Sequence, residues 1–557
     1  MSNQPEASPT ATAEETLDRK HILLVFVGLI LAMLLAALDQ MIFSTALPTI
    51  VGELGGVEHM LWVTTAYILA ATIMMPVYGK LGDLFGRKHL FIFAISVFMV
   101  GSIVGGLAQN MPELIAGRAI QGLGGGGLMI LAQAIIADVV PARERGKYMG
   151  VMGGVFALAS VAGPLLGGYF TESLDWRWCF WINIPLGIAA IVSAVMFLHL
   201  PKRDQGKPKI DVAGMITLAV ASSAVVLATS LGGNTYAWSS WQIVGLFATG
   251  IVVGIVFVFI EKRAAEPVMP LYLFKNRNFN LTTGAGLITG IAMFGAMAYM
   301  PTYMQMVTGV TATQAGLLMI PMMAAMLITS ISSGQYVTKT GTYKFLPIMG
   351  SVFIALGLFL LSTMTPDMAL WIRCAYLAVM GLGLGLTMQI LVLIVQNSFP
   401  AKAVGTATAA NNYFRQIGAS VGSAAVGSLF TSHLINLLGE RLPAGVGTEA
   451  DLNTLVPSAV QDMPAEIQDA IVSSYNDALT PVFLLMVPLL AVSFILLLFV
   501  KQEKLATTIE RDVVPESFEI DGSSSAYLDT RELETVGARV VDESVDSSEA
   551  PETESTR

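Results

Sequence analysis

One aspartate, Asp39, stands inside the apolar run 22–47, surrounded by aliphatic and aromatic residues. A carboxylate in hydrocarbon is expensive to keep charged, so it is paired with a base, protonated, or lining a cavity. Burial disfavours the charged form, which suits such a group to loading and releasing a proton. Arg118 is the base that falls within an apolar run of the first half of the chain, and Gln121 follows it by about one helical turn. A guanidinium on a neighbouring helix would alter the proton affinity of Asp39 as the helices move, and Gln121 could share its hydrogen bonds. Without that chemistry, Asp39 reads as an acid that caps or bridges helices, and Arg118 as a base that snorkels outward.

The stretch GKLGDLFGRK, residues 79–88, joins two apolar runs with two glycines, one acid and three bases. Gly79 and Gly86 permit a tight turn. Asp83 suits the N-terminus of a neighbouring helix, where the dipole favours an anion. Arg87 could pair with Asp138, which ends the run 113–137. Contacts of this kind, made in one conformation and broken in another, form a two-state gate. The alternative is that these charges anchor the turn at lipid headgroups, which accounts for Lys80 and Lys88 better than for Asp83. Further along, Gly150, Gly163, Pro164, Gly167 and Gly168 share one apolar run. Small residues let helices approach closely and proline bends them, so this run is either a hinge or ordinary tight packing.

Polar and aromatic groups that could line a pathway are Tyr67, Gln121, Gln305, Gln389, Asn411, Asn412 and Arg415. The chain carries 30 Met and 26 Phe, and a Met-lined cavity adapts to varied apolar ligands. No second acid falls well inside the later runs, and Arg415 is the base found there. Lipophilic monocations, zwitterions or neutral compounds are therefore expected as substrates, with Arg415 able to favour an anionic group. The five histidines lie near run ends and form no metal-ligand pattern. No GxxxxGK[ST] loop is present, which disfavours ATP-driven chemistry. No cofactor, metal or nucleic acid is expected, and the isolated Asp39 argues against a membrane enzyme, which would need several convergent catalytic groups.

The elements that must position these residues are helices in a bilayer. Of 557 residues, 54% are hydrophobic and 13% charged. A hydrocarbon core needs about 20 apolar helical residues to cross it. Fourteen such runs are found, near 22–47, 61–81, 89–109, 113–137, 148–170, 179–200, 212–231, 241–260, 281–303, 314–337, 345–363, 370–394, 405–433 and 479–500. They are long and continuously apolar, unlike the alternating strands of a barrel, so the expected class is an all-α integral membrane protein. The first run is too long for a signal h-region and lacks a convincing cleavage site. The loops joining runs 2–3, 4–5, 6–7, 8–9, 10–11 and 12–13 hold seventeen bases, against Arg177, Arg373 and Arg441 on the other side. That asymmetry predicts both termini in the cytoplasm.

The chain is also internally repeated. Gly79 and Gly86 recur as Gly334 and Gly341, an offset of 255, and GLGGGGL at 122–128 recurs as GLGLGLT at 381–387, an offset of 259. Duplicated halves are common in transporters. The second turn has Thr338 and Thr342 where the first has Asp83 and Arg87. The expected organisation is a disordered N-terminus 1–20, a six-helix half 21–204, two inserted helices in 205–265, and a six-helix half 266–500 with an acidic outer loop 434–477. A disordered tail, 501–557, accounts for −9 of the −10 formal charge. Cys179 and Cys374 are expected as free thiols.

GKLGDLFGRK resembles the loop 2–3 signature of the major facilitator superfamily. LIAGRAIQGLGGGG (114–127) resembles its span-4 motif, and the pattern from Gly150 through Gly163-Pro164 to Gly167-Gly168 resembles the span-5 motif of its antiporters. ALDQMIFSTALP (37–48) and WRWCFWINIPLG (176–187) are similar to signatures of the fourteen-span drug:proton antiporters, the EmrB/QacA branch. The pattern departs at Ala159, where glycine is usual, and at Gln40-Met41 and Ser44. The resemblance covers roughly residues 20–500. It implies the major facilitator fold with two six-helix halves and two inserted helices, and proton-coupling roles for Asp39 and Arg118. The implied function is proton-coupled multidrug efflux of hydrophobic small molecules by alternating access, in a bacterial cytoplasmic membrane and as a monomer among membrane lipids. Export of a lipid or cell-envelope precursor is the alternative.

Overall fold

The computed structural model describes residues 19–55, 59–200, 209–233, 235–442, 460 and 463–507. Fourteen helices in it are long and apolar enough to cross a membrane. Spans 1 to 7 are Ile22–Leu54, Met60–Phe85, Arg87–Leu107, Met111–Val139, Ala142–Ser173, Trp178–Phe197 and Val212–Leu231. Spans 8 to 14 are Trp241–Glu261, Arg277–Thr308, Thr313–Thr340, Phe345–Ser362, Leu370–Asn397, Ala401–Arg441 and Ala465–Leu498. Among the described residues the only β-type pairing is an isolated bridge, Gly232 with Tyr236. The face carrying the 79–88 turn is called the basic face below.

Glycine decides how closely the helices approach. In span 4, a Cβ on Gly124 would collide with the backbone of Ala94 and Phe98, and one on Gly126 with the backbone of Ala71. In span 12, a Cβ on Gly383 would collide with the backbone of Gly350 and Ile354. The two glycine clusters thus do the same work at equivalent places. The turns also match: Gly86 has φ 91° and Gly341 has φ 73°, in the left-handed region where a side chain is strained.

Across the two halves, spans 2 and 13 meet where Gly79 faces Gly405 and Ala409. Spans 5 and 10 meet where Gly334 faces Gly146 and Gly150. Gly405 lies 259 residues beyond Gly146, the offset of the glycine clusters, so these two contacts are the same contact seen from either half.

Spans 7 and 8 pack as a hairpin beside spans 2 and 13. Leu218 and Phe257 join a cluster with Leu273, Phe279 and Tyr413, and the Ser222 and Tyr413 hydroxyls are 2.8 Å apart. Span 8 leaves Ile251, Val252 and Phe259 exposed, as a lipid-facing helix does.

Several boundaries differ from the sequence reading. The acidic outer loop 434–477 is helical at both ends, because span 13 continues to Arg441 and span 14 begins at Ala465. Tertiary pairs support these extensions: Arg441 Nη2 lies 2.7 Å from Asp477 Oδ2, and Phe430 stacks edge-on against Tyr475 at 4.7 Å. The density of acids hid the helical pattern there. Residues 501–507 do not begin a loose tail. Asn278 and Lys501 exchange backbone–amide bonds, Gln502 Oε1 accepts from the N–H groups of Tyr343 and Lys344, and the Arg143 N–H donates to Ala506 O at 3.0 Å. The first helix starts at Arg19, inside the segment expected to be disordered. The rest of that segment, the remaining tail and the centre of the outer loop lie outside the described residues. Arg373, expected in a loop, is buried in span 12 and donates to Thr365 O at 2.8 Å and Pro366 O at 2.7 Å. Cys179 and Cys374 are free thiols.

Candidate transport sites

Asp39 is 1% exposed, and three donors from two other spans converge on it. Arg118 Nη1 donates to Oδ2 at 2.5 Å, Gln121 Nε2 to Oδ1 at 3.0 Å, and Asn183 Nδ2 to Oδ1 at 2.8 Å. The Ser102 hydroxyl accepts from Gln121 at 2.8 Å and from Asn183 at 3.2 Å, which fixes how both amides point. Arg118 is held by aromatic faces, with its Cζ 4.3 Å from the Phe43 centroid and 4.4 Å from that of Tyr67. Every group facing the acid is a donor, so this arrangement suits a carboxylate. A proton added there would remove the charge that holds Arg118. Asn183 and Ser102 were missed in the sequence because one polar residue in an apolar run has no distinctive spacing. Asn183 does lie inside WRWCFWINIPLG, which was the available signal.

A second constellation closes the basic face. Arg87 is 2% exposed and pairs with Asp83 Oδ1 at 2.6 Å and Asp138 Oδ1 at 2.7 Å. It also donates to Ala134 O at 2.5 Å and, in the other half, to Ala401 O at 3.3 Å. The other oxygen of Asp83, Oδ2, accepts the Thr406 N–H at 2.7 Å and its hydroxyl at 2.8 Å, at the start of span 13. The anion therefore sits at a helix N-terminus, where the dipole favours it. Thr338, its counterpart in the second half, turns its hydroxyl back to Gly334 O within its own helix. Arg143 bridges there instead, donating to Thr338 O at 3.3 Å and Lys339 O at 3.2 Å, at the carbonyl end of span 10. Lys80, for which headgroup anchoring is the alternative reading, is 2.6 Å from Glu266 in the segment after span 8. Glu261 folds that segment back by accepting the N–H groups of Val268 and Met269.

Between these two constellations lies a cavity of about 100 Å³, bordered by both halves. Its wall includes seven methionines together with Phe156 and Phe294. Tyr67, Gln389, Asn412 and Arg415, all expected along a pathway, border it. Gln40 and Gln416, which are not among the pathway residues expected from sequence, do so as well. Gln121, Gln305 and Asn411 do not. Gln121 belongs to the Asp39 cluster, Gln305 bonds to Pro301 O on its own helix, and Asn411 turns to Thr283 at 3.2 Å. On the basic side the cavity is floored by bonds between halves. Ser330 donates to Gly150 O at 3.0 Å, Asn412 to Gln133 Oε1 at 3.0 Å, and Gln396 to Gln133 O at 3.1 Å.

In the glycine-rich span 5, a Cβ on Gly163 would collide with Met41, and one on Gly167 would meet Ile42 O at 2.7 Å. Gly150 packs on Ser330 and Ile331 of the other half, whereas Gly168 faces open space. Pro164 lies within the same helix.

The sequence profile of the Major Facilitator Superfamily matches residues 29–423. The chain belongs to that superfamily. This member is 38% identical to the multidrug transporter protein MdtP of Bacillus subtilis over 525 residues, covering 90% of this chain and 96% of that protein. It is 35% identical to multidrug resistance protein 3 of the same species, covering 87% and 96%. Among solved structures, the superfamily's proton:xylose symporter XylE superposes with a TM-score of 0.56 at 15% identity, over 87% of this chain and 98% of that one. At that identity the likeness shows the fold alone. It is the fold of an all-helical membrane transporter, here with fourteen spans.

Proposed function

We propose that this chain is a proton-coupled antiporter that exports hydrophobic small molecules by alternating access. Its place would be a bacterial cytoplasmic membrane, with the basic face and both termini in the cytoplasm and no cofactor or catalytic step involved. The observation that carries this reading is the shared wall between the Asp39 cluster and the central cavity. Tyr67 stacks on Arg118 with one face and borders the cavity. Protonation of Asp39 loosens Arg118, and a change in Arg118 reaches the substrate space through Tyr67. The contacts of Asp83 and Arg87 with the second half close the basic face, so this conformation corresponds to the cytoplasmic gate being shut. Breaking them while the opposite ends close would complete the exchange. The names of the Bacillus subtilis relatives, at 38% and 35% identity over most of the chain, support multidrug efflux as the activity.

The test is efflux of ethidium from cells expressing the chain, with and without a protonophore, alongside Asp39→Asn. Protonophore-sensitive efflux lost in Asp39→Asn is expected. Efflux that survives the substitution would place proton coupling elsewhere, and no efflux of any lipophilic probe by well-expressed protein would sink the reading.

A further inference from the structure

Resting on the export reading above, we propose that the central cavity selects amphiphilic molecules bearing an anionic group, which Arg415 receives while the methionine wall takes the apolar body. Arg415 is the one charged side chain on the cavity wall among the described residues. Its described polar contacts are Asn412 Oδ1 at 2.5 Å and the Met129 sulfur at 3.9 Å, both neutral. Neither offsets the guanidinium charge, and Asp39 is already engaged by its own three donors. A positive charge held in a largely apolar space without a carboxylate partner is costly, and a bound anion would supply the missing partner.

The guanidinium is also held in place. Asn412, which accepts from Arg415, donates in turn to Thr408 O at 2.9 Å and Gln133 Oε1 at 3.0 Å. This network orients Asn412 with its acceptor towards the arginine and leaves the rest of the fork to the cavity. A forked guanidinium matches a carboxylate with two parallel bonds, a geometry an ammonium or a neutral amide cannot reproduce. A purely cationic ligand would instead meet a like charge in a medium that screens it poorly. Gln389, also on the wall, has a buried Oε1 with no partner, an acceptor suited to an N–H group on the same ligand. The preferred ligands among the lipophilic compounds exported are therefore lipophilic acids, and zwitterions whose acidic group can reach Arg415, with purely cationic probes such as ethidium bound more weakly.

Two dyes that differ only at one carboxyl group test this. Tetramethylrhodamine carries a free carboxylate, and tetramethylrhodamine methyl ester does not. Binding of each to the purified full chain in detergent would be followed by fluorescence anisotropy, with Arg415→Gln and Arg415→Lys alongside and thermal unfolding as the check on folding. The expected result is that the wild type binds the free acid about tenfold more tightly than the ester, the size of one charge-assisted hydrogen bond. Arg415→Gln should equalise the two dyes, and Arg415→Lys should keep part of the preference. Equal affinities in the wild type, a preference for the ester, or a preference that survives Arg415→Gln overturns the proposal. Ethidium efflux from cells expressing the same chain and variants separates the two readings: protonophore-sensitive efflux with no acid preference in dye binding removes this inference and leaves export standing. Binding of neither dye together with no efflux removes both.

Discussion

Asp83 lies in the first half of the chain and caps a helix of the second, with its Oδ2 accepting the Thr406 N–H at 2.7 Å and hydroxyl at 2.8 Å. The same carboxylate holds Arg87 through its other oxygen at 2.6 Å. One side chain thus joins an ion pair within the first half to the N-terminus of span 13. Asp83→Asn should weaken the closed basic face by about 1 kcal/mol, the worth of a helix cap, or roughly a fivefold change in population. Spin labels at the exposed positions Glu144 and Lys339, in a background without Cys179 and Cys374, would report the distance between the basic ends of the halves. An unchanged distance distribution in Asp83→Asn would falsify the gate.

In the Asp39 cluster, the partners should fail in different ways. Arg118→Ala leaves a buried carboxylate unpaired, which costs about 3–5 kcal/mol, so the expected result is a lower unfolding temperature as well as lost transport. Asn183→Ala removes one neutral donor and should cost about 1 kcal/mol while shifting the pH profile of transport. An Asn183→Ala profile that overlays the wild type would mean that Asn183 only fills space.

Span 5 offers a contrast within one motif. Gly163→Ala drives a methyl into Met41 and should cost about 1–3 kcal/mol of packing, with transport reduced accordingly. Gly168→Ala adds a methyl to open space and should leave transport intact. Equal defects in both would show that the glycines act through backbone freedom, and not through contact with span 1.

The Lys80–Glu266 pair ties the 79–88 turn to the segment after the inserted hairpin, but the Glu266 side chain is 42% exposed. Its coupling should stay below about 1 kcal/mol and fall with added salt. A double-mutant cycle with Lys80→Ala and Glu266→Ala, read in transport rate at two ionic strengths, measures it. A coupling several times larger, unaffected by salt, would show that the pair is a principal closure of the basic face.

What the sequence determined by itself was local. Fourteen spans are legible because twenty consecutive apolar residues leave a chain no choice but a helix in lipid, and the paired glycine turns are legible because each is a feature of a few adjacent residues. Asp39, Arg118, Asp83, Arg87 and Asp138 were visible as charges where charges are expensive. Tertiary structure decided which of them meet. Asn183 and Ser102 acquire a place around Asp39 only when spans 3 and 6 pack against spans 1 and 4, and no spacing in the chain encodes that. Gln305 and Asn411 share composition with Gln389 and Asn412, yet helix rotation turns the first pair away from the cavity and the second pair into it. The ends of spans 13 and 14 escaped the hydropathy reading for a related reason. Their acids and bases are satisfied by each other across the fold, as Arg441 is by Asp477, and a charge whose partner lies 36 residues away looks like loop until the helices stand side by side.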